Sequence, residues 1–347
     1  MGLQAKQITL LTKLKRNRLF WPLVALLFFL CVNALIVPGF FTIEIKEGHL
    51  YGLLIDIVKR ATPGMFLSIG LTLCIATRGN DISVGSVMAI CGGFVATLVH
   101  NDVSLWIAIP CTLLIGMLCG AWNGFLVSQL GVQPMVATLI MMTAGRGIAQ
   151  LILKGNILTI KDKPTFGYIG GGYLLGLPFS IYLLAIFAFL IITFVNKTSF
   201  KLFVESIGYN RESSRYTGIK VSAVIWSCYI ISGLCAAIAG IILTSEVSAA
   251  DGNNAGLNME LDAIMAVVLG GTSMAGGRFS IGASLIGALI VQTMTTTILA
   301  TGIPTQVTLL VKALVVVIVV IIQTPGLISS FIKFLFPNRK EKRGQTT

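Results

Sequence analysis

Residues 180–245 consist of two apolar runs, SIYLLAIFAFLIITFVN (180–196) and VSAVIWSCYIISGLCAAIAGIILTS (221–245), separated by the polar segment KTSFKLFVESIGYNRESSRYTGIK (197–220). Each run is long enough, as a helix, to cross the hydrocarbon core of a bilayer. The segment between them, called the polar island below, carries five basic residues and two glutamates in a chain that is only 11% charged. This stretch predicts two membrane-spanning helices joined by a water-exposed surface on which another protein docks.

The composition of the whole chain indicates the same class. Its 347 residues are 55% hydrophobic with a mean hydropathy of +0.91, which is more apolar surface than a soluble domain buries. The net charge of +12 lies in short basic clusters beside apolar runs, without the aromatic-interleaved patch of nucleic-acid-binding proteins. The seven cysteines and two histidines show no metal-ligand spacing. We predict an all-α polytopic membrane bundle that binds neither nucleic acid nor metal.

Apolar runs bounded by glycine, proline or charge clusters predict ten crossings. The eighth is short, so a broken or re-entrant helix is an alternative there. The predicted spans are 20–38, 61–77, 84–99, 105–128, 135–153, 180–196, 221–245, 261–272, 280–301 and 305–323.

The distribution of Lys and Arg predicts the orientation, because cytoplasmic segments carry the excess. With ten spans, the N-terminus, Arg78, the polar island, Arg278 and the C-terminus share one side and hold 17 basic residues, against 6 on the other side. Both termini and the polar island are therefore predicted to be cytoplasmic. The chain divides into an N-terminal tail (1–19), a transmembrane domain (20–323) and a C-terminal tail (324–347).

No motif indicates an enzyme. The chain contains no G-x-x-x-x-G-K-[ST] phosphate loop, no H-E-x-x-H and no G-x-S-x-G. Ion-coupled carriers place Asp, Glu or His in mid-span, whereas here the acidic residues are predicted at span ends and in loops. The mid-span charges are Arg146 and Lys312. We expect a non-catalytic transport protein; if ATP drives it, a partner hydrolyses the ATP. A stand-alone ion-coupled carrier is the alternative.

Several polar residues within or beside the spans are candidates for a translocation pathway. Arg146 and Lys312 are predicted to line the pathway or a gate, or else to form a structural ion pair or cap helix carbonyls. Neutral side chains either hydrogen-bond a hydroxylated solute or join helices. Asp262 ends the polar stretch 251–262, which lines an outer vestibule, receives a soluble partner or is a solvated turn. The candidate pathway or gate residues are Asn123, Arg146, Gln150, Asp262, Gln292 and Lys312.

Glycine patterns mark two further features. Gly116, Gly120 and Gly124 form a tandem G-x-x-x-G that permits close helix packing, more often within one subunit than between two. Two glycine-rich turns, TRGNDISVGS (77–86) and GGTSMAGGRFS (270–280), join spans on the predicted cytoplasmic side, and Asp81 with Ser83 is expected to cap the helix that follows. The residues singled out in these turns are Asp81, Ser83, Gly85, Gly276 and Gly277.

Four ordered segments carry a resemblance to a known family. They are the turn at 77–86, GVQPMVATLIMMTAGRGIAQ (131–150), ESIGYNRESSRYTGI (205–219) and LDAIMAVVLGGTSMAGGRFSIGASLIGALI (261–290). Together they resemble the permease subunits of ribose-type bacterial ABC importers over roughly residues 21–323. Within the family, the segments 253–271 and 135–152 are most similar to permeases for galactofuranose. The first turn departs from the family's usual T-G-G-I-D-L-S at Arg78, Asn80 and Ile82.

The resemblance implies an inner-membrane subunit that receives a sugar from a periplasmic binding protein and passes it to the cytoplasm. It implies ATPase partners that bind ATP and Mg, a second permease that is the same chain or a different one, and no cofactor on this chain. The family's ATPase-docking helix maps onto Glu205, Ser206, Ile207, Gly208, Tyr209, Asn210 and Arg211, followed by Glu212 and Arg215.

Overall fold

A computed structural model describes residues 19–46, 48–160, 163–302 and 304–323. The predicted tails 1–19 and 324–347 lie outside these residues except for Leu19. The helices are α1 (Phe20–Ile36), α2 (Leu53–Ala76), α3 (Val84–His100), α4 (Leu105–Ser128), α5 (Pro134–Ile152), α6 (Pro164–Gly171), α7 (Phe179–Lys197), α8 (Phe200–Tyr209), α9 (Arg211–Tyr216), α10 (Val221–Val247), α11 (Met259–Leu269), α12 (Ile281–Ala300) and α13 (Thr305–Gln323). The strands are β1 (Glu44–Lys46), β2 (His49–Tyr51), β3 (Leu158–Thr159), β4 (Tyr173–Leu174), β5 (Leu177–Pro178) and β6 (Ala249–Ala250).

A helix overlaps each of the ten predicted spans, and the chain is a mostly helical membrane protein. Among the described residues, five helices are long and apolar enough to cross a bilayer, namely α4, α5, α7, α10 and α12. Helices α1 and α3 are apolar but shorter, at 17 residues each.

The start of α2 differs from the prediction. The helix begins at Leu53, eight residues before the predicted span, so Lys59 and Arg60 lie on helical turns and not in a loop. An ion pair of 2.8 Å between Arg60 Nε and Asp56 Oδ2, one helical turn apart, accompanies this extension. Lys59 also reaches Glu246 of α10, 3.5 Å away. Charges typical of a loop therefore occupy the polar end of a long helix.

The all-α prediction misses three short antiparallel strand pairs. Strand β1 pairs with β2, β3 with β6, and β4 with β5. The stretch between α5 and α7, expected to be a loop, contains α6 as well as strands. The unpaired backbone groups at the edges of such short pairs hydrogen-bond to water, which the bilayer core lacks. The strand pairs are therefore compatible with loops outside the hydrocarbon region.

Helix α10 forms the centre of the bundle and packs against α2, α3 and α4. The tandem glycines of α4 face it: a side chain at Gly120 would overlap the carbonyl oxygen of Tyr229, and one at Gly116 would lie 2.6 Å from the carbonyl oxygen of Gly233. The expectation that these glycines pack within one subunit is confirmed. Their absent side chains let the two backbones approach closely.

Two helices, α3 and α11, begin inside the bundle. Helix α11 has eleven residues, about 16 Å of rise, or half a bilayer core. The non-helical residues 251–258, called the inserted segment below, lead into it. The start of α11 meets the start of α3, where a side chain on Gly85 would overlap a carboxylate oxygen of Glu260. The eighth predicted span is thus a short helix that follows a non-helical segment, in agreement with the alternative of a broken or re-entrant helix that its short length allowed.

Candidate functional site

Arg78 joins the two glycine-rich turns to the polar island. Its guanidinium donates from Nε to the carbonyl oxygen of Gly208 at 2.6 Å and from Nη2 to that of Tyr209 at 2.7 Å. In the second turn, the N–H of Gly277 donates to the carbonyl oxygen of Ala76 at 2.8 Å. We call this cluster the Arg78 junction. It fixes the end of α8 to the ends of α2 and the 270–280 turn.

The glycines of the second turn make room for this junction. Gly276 and Gly277 have φ of +81° and +94°, in the left-handed region that favours glycine. A side chain on Gly276 would lie 2.5 Å from Cγ of Arg78, and one on Gly277 about 3.3 Å from the ring of Tyr209. Both positions therefore need glycine for conformation and for space.

The residues predicted to dock an ATPase divide into two groups. Ile207 and Gly208 are buried against the bundle, and Glu205 and Ser206 are half-buried. The remaining residues, Tyr209, Asn210, Arg211, Glu212 and Arg215, are exposed. A cap closes the corner between α8 and α9, because the side chain of Asn210 accepts from the N–H of Ser213 at 3.0 Å. A partner surface can reach the corner at 209–216, whereas Ile207 and Gly208 anchor that corner to the bundle.

Asp81 is buried, with 2% exposure, at the start of α3. Its Oδ1 accepts from the N–H and hydroxyl of Ser83 at 3.1 and 2.6 Å, and its Oδ2 accepts from the hydroxyl of Ser232 at 2.7 Å. The amide of Asn123 donates to the hydroxyl of Ser83 at 2.7 Å. A hydrogen-bonded chain thus runs from α4 through the first turn to α10.

Two expectations change at this cluster. Ser83 occupies the position before α3, but its side chain caps no helix N–H; its hydroxyl donates to Asp81 and accepts from Asn123. Asn123, a candidate pathway residue, is fully buried and holds the turn in place. In this conformation it lines no open passage.

The expectation that acidic residues lie at span ends and in loops agrees with the positions of Asp81, before α3, and Glu260, in the first turn of α11, but both side chains are buried. Glu260 is 3% exposed, and its Oε2 has no hydrogen-bond partner in the described part of the chain. Both carboxyl groups lie at the N-termini of helices that start inside the bundle, where the helix dipole favours negative charge. The sequence gives no clear signal for Glu260, because the glycine- and asparagine-rich stretch before it resembles a solvated loop.

Arg146 and Gln150 of α5 fasten the inserted segment. Nη1 of Arg146 donates to the carbonyl oxygens of Asn253, at 3.2 Å, and of Ala255. One turn later, the amide of Gln150 donates to Oδ1 of Asn253. Gln150 is exposed and Arg146 half-buried. Arg146 thus binds backbone carbonyls, as in the structural alternative, but these belong to a non-helical segment and not to a helix, and a role in the pathway or a gate stays a prediction.

Within the inserted segment, Asp251 organises the first turn. Its Oδ1 accepts from the N–H groups of Asn253 and Asn254 at 2.8 and 3.2 Å, and its Oδ2 accepts from the Asn254 side chain at 2.7 Å. Partial burial acts to raise the pKa of Asp251, but these hydrogen bonds and the charge of Arg146 hold it below its ordinary value. The carboxylate is thus ionised and already committed to the loop.

Lys312 and Asp262 form an ion pair between α13 and α11. The ammonium lies 3.0 and 2.8 Å from the two carboxylate oxygens, and Lys312 is 5% exposed. The structural ion-pair interpretation of Lys312 is confirmed, and its partner is the candidate Asp262. Gln292 lies half-buried on α12.

Comparisons with known proteins match most of the chain to a family model. Residues 53–320 match the model of a family described as branched-chain amino acid transport system / permease component. No solved structure matches the chain.

Three characterised relatives cover most of the chain. It is 45% identical to the galactofuranose transporter permease of Escherichia coli (strain K12), over 92% of this chain and 94% of the relative. It is 34% identical to the fructose import permease of Bifidobacterium longum, over 95% and 93%. It is 33% identical to the ribose import permease of Escherichia coli (strain K12), over 84% and 89%.

Proposed function

Because the chain belongs to the family of branched-chain amino acid transport system permease components, and within it is similar to sugar import permeases, we propose that it is the sugar-conducting subunit of an ATP-binding cassette importer. The observation that carries the proposal is the 45% identity to a galactofuranose transporter permease along almost the whole length of both proteins. Its sugar is accordingly galactofuranose or a related monosaccharide such as ribose or galactose.

The ATPase partner docks at the exposed corner 209–216. Two arginines there, Arg211 and Arg215, are exposed, and Arg78 fixes the adjoining end of α8 by two hydrogen bonds to carbonyl oxygens. A displacement of the corner by the ATPase is therefore transmitted to the ends of α2 and the 270–280 turn. ATP and Mg bind to the partner, and this chain contributes no catalytic residue.

The orientation follows from the placement of the Arg78 junction. The corner faces an ATPase, which is in the cytoplasm. The same side of the membrane therefore holds the polar island, the two glycine-rich turns and both termini. The opposite ends of α2 and α10, marked by Lys59 and Glu246, face the periplasm. The chain crosses the bacterial inner membrane ten times within residues 20–323, with tails at 1–19 and 324–347. A periplasmic sugar-binding protein delivers the solute to the outer face.

The sugar pathway runs along the exposed face of α5 and the inserted segment, beside a second permease of the same or different sequence. Gln150 and Arg146 line this path directly, whereas Asp262, Lys312 and Gln292 act from within the bundle as supports or a gate. Asn123 acts indirectly, by holding the first turn. Polar side chains at the discontinuity of a membrane helix are a recurrent feature of transporter solute sites.

One observation favours the alternative of a stand-alone ion-coupled carrier. Asp81 and Glu260 are buried carboxyl groups inside the bundle, and such groups carry protons or cations in secondary carriers. The two mechanisms differ in their energy source, so uptake by ATP-depleted vesicles with an imposed proton gradient separates them. Sugar uptake under that condition supports the carrier and overturns the importer proposal.

The docking proposal is tested with the assembled complex in proteoliposomes. Charge reversal of the corner, Arg211→Glu with Arg215→Glu, is expected to abolish ATP-driven sugar uptake and to weaken co-purification of the ATPase. Lys154→Glu, at an exposed position on the opposite end of the bundle, is the matched control. Coupled uptake that survives the double reversal contradicts the assignment of the docking corner.

A further inference from the structure

A small cavity lies where the inserted segment meets the end of α5. Its volume is about 230 Å³, and its lining includes Gln150, Asn156, Asn253 and Asn254, together with Asp251 and Ile157. We call it the amide pocket. The pocket is on the same end of the bundle as Lys59 and Glu246. Glu246 lies near the end of α10, and β6, which immediately follows α10, leads into the pocket.

The walls of the amide pocket are held in place by contacts between the inserted segment, α5 and the neighbouring strands. Gly252 is buried, and a side chain there would lie 3.0 Å from the backbone of Ala149 and Gln150, so the loop lies directly on α5. Gln150 and Arg146 fasten the same loop from the helix. Pairing of β3 with β6 fixes both chain segments that lead into the pocket. A ligand therefore meets a site that is largely formed in advance.

The lining chemistry selects a neutral, hydroxyl-rich ligand. Each of the four carboxamides already makes one side-chain hydrogen bond, Gln150 to Asn253, Asn254 to Asp251 and Asn156 to the carbonyl of Lys154. A carboxamide has two N–H donors and two acceptor lone pairs, so each keeps capacity for a hydroxyl group, which both donates and accepts. The one carboxylate, Asp251, already accepts three hydrogen bonds from the loop and holds it in shape. Ile157 and Leu153 add an apolar wall for the C–H face of a ring.

The size of the pocket limits the ligand to one ring. Its volume is below the roughly 300–1,000 Å³ of pockets that hold drug-sized molecules. Within the proposed function, on which this inference rests, we propose that the amide pocket is a receiving site for a single monosaccharide on the outer face of the permease. The sugar occupies it after release from the binding protein and before it moves along α5.

The site has a direct connection to the broken helix. The inserted segment continues from Asn254 to the start of α11, where Glu260 meets Gly85 of α3. A sugar bound to Asn253 and Asn254 therefore contacts the same segment that Arg146 holds. Occupation of the pocket stabilises the position of that segment and of the helix that follows it.

The test measures sugar binding to the full-length permease alone, in lipid nanodiscs, by saturation-transfer NMR. The probes are methyl β-D-galactofuranoside and D-ribose, with inorganic sulfate as a charged control. Wild-type protein is expected to give signals with at least one sugar and none with sulfate. Asn253→Ala with Gln150→Ala is expected to weaken binding about tenfold, as loss of two neutral hydrogen bonds predicts.

Asn156→Ala provides a second variant that leaves the inserted segment untouched, because the Asn156 amide bonds only locally to the carbonyl of Lys154. It is expected to weaken binding as well. Asn101→Ala, at an exposed asparagine after α3, is the matched control and retains wild-type binding. Absence of a sugar signal from the wild type, or equal signals from all variants, overturns the proposal.

Two further outcomes distinguish a sugar site from a protein-docking surface and from a failure of the importer proposal itself. If the pocket variants lose capture of the periplasmic binding protein while their sugar signals persist, the surface is a protein-docking site and the pocket proposal fails. ATP-driven uptake by the assembled complex is measured in parallel. Uptake without direct sugar binding overturns the pocket alone, whereas uptake that does not depend on ATP overturns the proposed function and leaves the binding result standing.

Discussion

The ammonium group of Lys312 lies 3.0 and 2.8 Å from the two carboxylate oxygens of Asp262, and so ties α13 to the half-length helix α11. The lysine side chain is 6% exposed and the aspartate side chain 29%. Removal of Lys312 leaves the Asp262 carboxylate, which is only partly accessible to water, without its partner, and this is destabilising.

We expect Lys312→Met to reduce the amount of folded protein in the membrane, with a loss below the roughly 3–5 kcal/mol found for one-sided removal of fully buried pairs, because Asp262 keeps partial contact with water. The neutral double variant Lys312→Met with Asp262→Asn is expected to recover most of that loss. Thermal stability of each variant, measured by fluorescence-detected size exclusion, checks this. A double variant no more stable than the single one contradicts the pairing, and normal transport by the folded double variant excludes a gating role for both residues.

Close packing between α4 and α10 gives a second prediction. A β-carbon at Gly120 overlaps the backbone of Tyr229, which cannot move independently of its helix. Gly120→Ala is expected to destabilise the bundle by about 1–3 kcal/mol, the usual cost of overpacking. The measurement is the yield and melting temperature of the purified protein.

Gly147→Ala is the control for this change. Gly147 is also in a helix, but nothing lies within 4 Å of the added carbon. Because alanine favours a helix over glycine by about 1 kcal/mol in soluble hosts, this variant is expected to be neutral or slightly stabilised. Equal behaviour of the two variants would show that α4 and α10 do not approach as described.

The sequence predicts regular, apolar spans best. Helix α4 is found at the predicted residues because a polar loop precedes it and it contains no charge. The start of α2 is not predictable in this way, because Asp56, Lys59 and Arg60 are typical of a loop, although ion pairs accommodate them on the end of a helix. Local pattern identifies an apolar helix but not how far its polar end continues.

The candidate site is predictable only in part. Arg146 and Lys312 stand out in sequence because charge within a span needs a partner, but the partners are remote and one of them is a non-helical backbone. Glu260 does not stand out, because 251–258 resembles a solvated loop by composition. The insertion of this segment into the bundle depends on tertiary contacts with α3 and α5, which no local pattern encodes.

Arg78 gives a third prediction. Its backbone conformation favours glycine, whereas its side chain makes hydrogen bonds that glycine cannot make. Its φ of +62° lies in the left-handed region, which costs a residue with a β-carbon roughly 1–2 kcal/mol. Arg78→Gly therefore relieves backbone strain while it removes both hydrogen bonds to the end of α8.

We expect Arg78→Gly to fold normally and to import less sugar per ATP hydrolysed, because the docking corner is no longer fastened to the bundle. The measurement is the ratio of sugar uptake to ATP hydrolysis in proteoliposomes. Arg278→Gly, at an exposed arginine in the neighbouring turn, controls for loss of positive charge. An unchanged ratio in Arg78→Gly shows that the Arg78 junction is structural and carries no coupling.

The contacts of Arg146 give the fourth prediction. Its guanidinium bonds two carbonyl oxygens of the inserted segment, at Asn253 and Ala255. Arg146→Met leaves both without their donor, so amide hydrogen exchange within 251–258 is expected to accelerate. Arg146→Lys is expected to give an intermediate rate, because a compact ammonium does not reproduce the fork of a guanidinium.

Lys197→Met, which removes an exposed cation at the opposite end of the bundle, leaves exchange in this segment unchanged. If all three variants exchange at the wild-type rate, Arg146 does not hold the inserted segment. If Arg146→Met accelerates exchange and also lowers sugar uptake at normal protein levels, the position of this segment controls passage along α5.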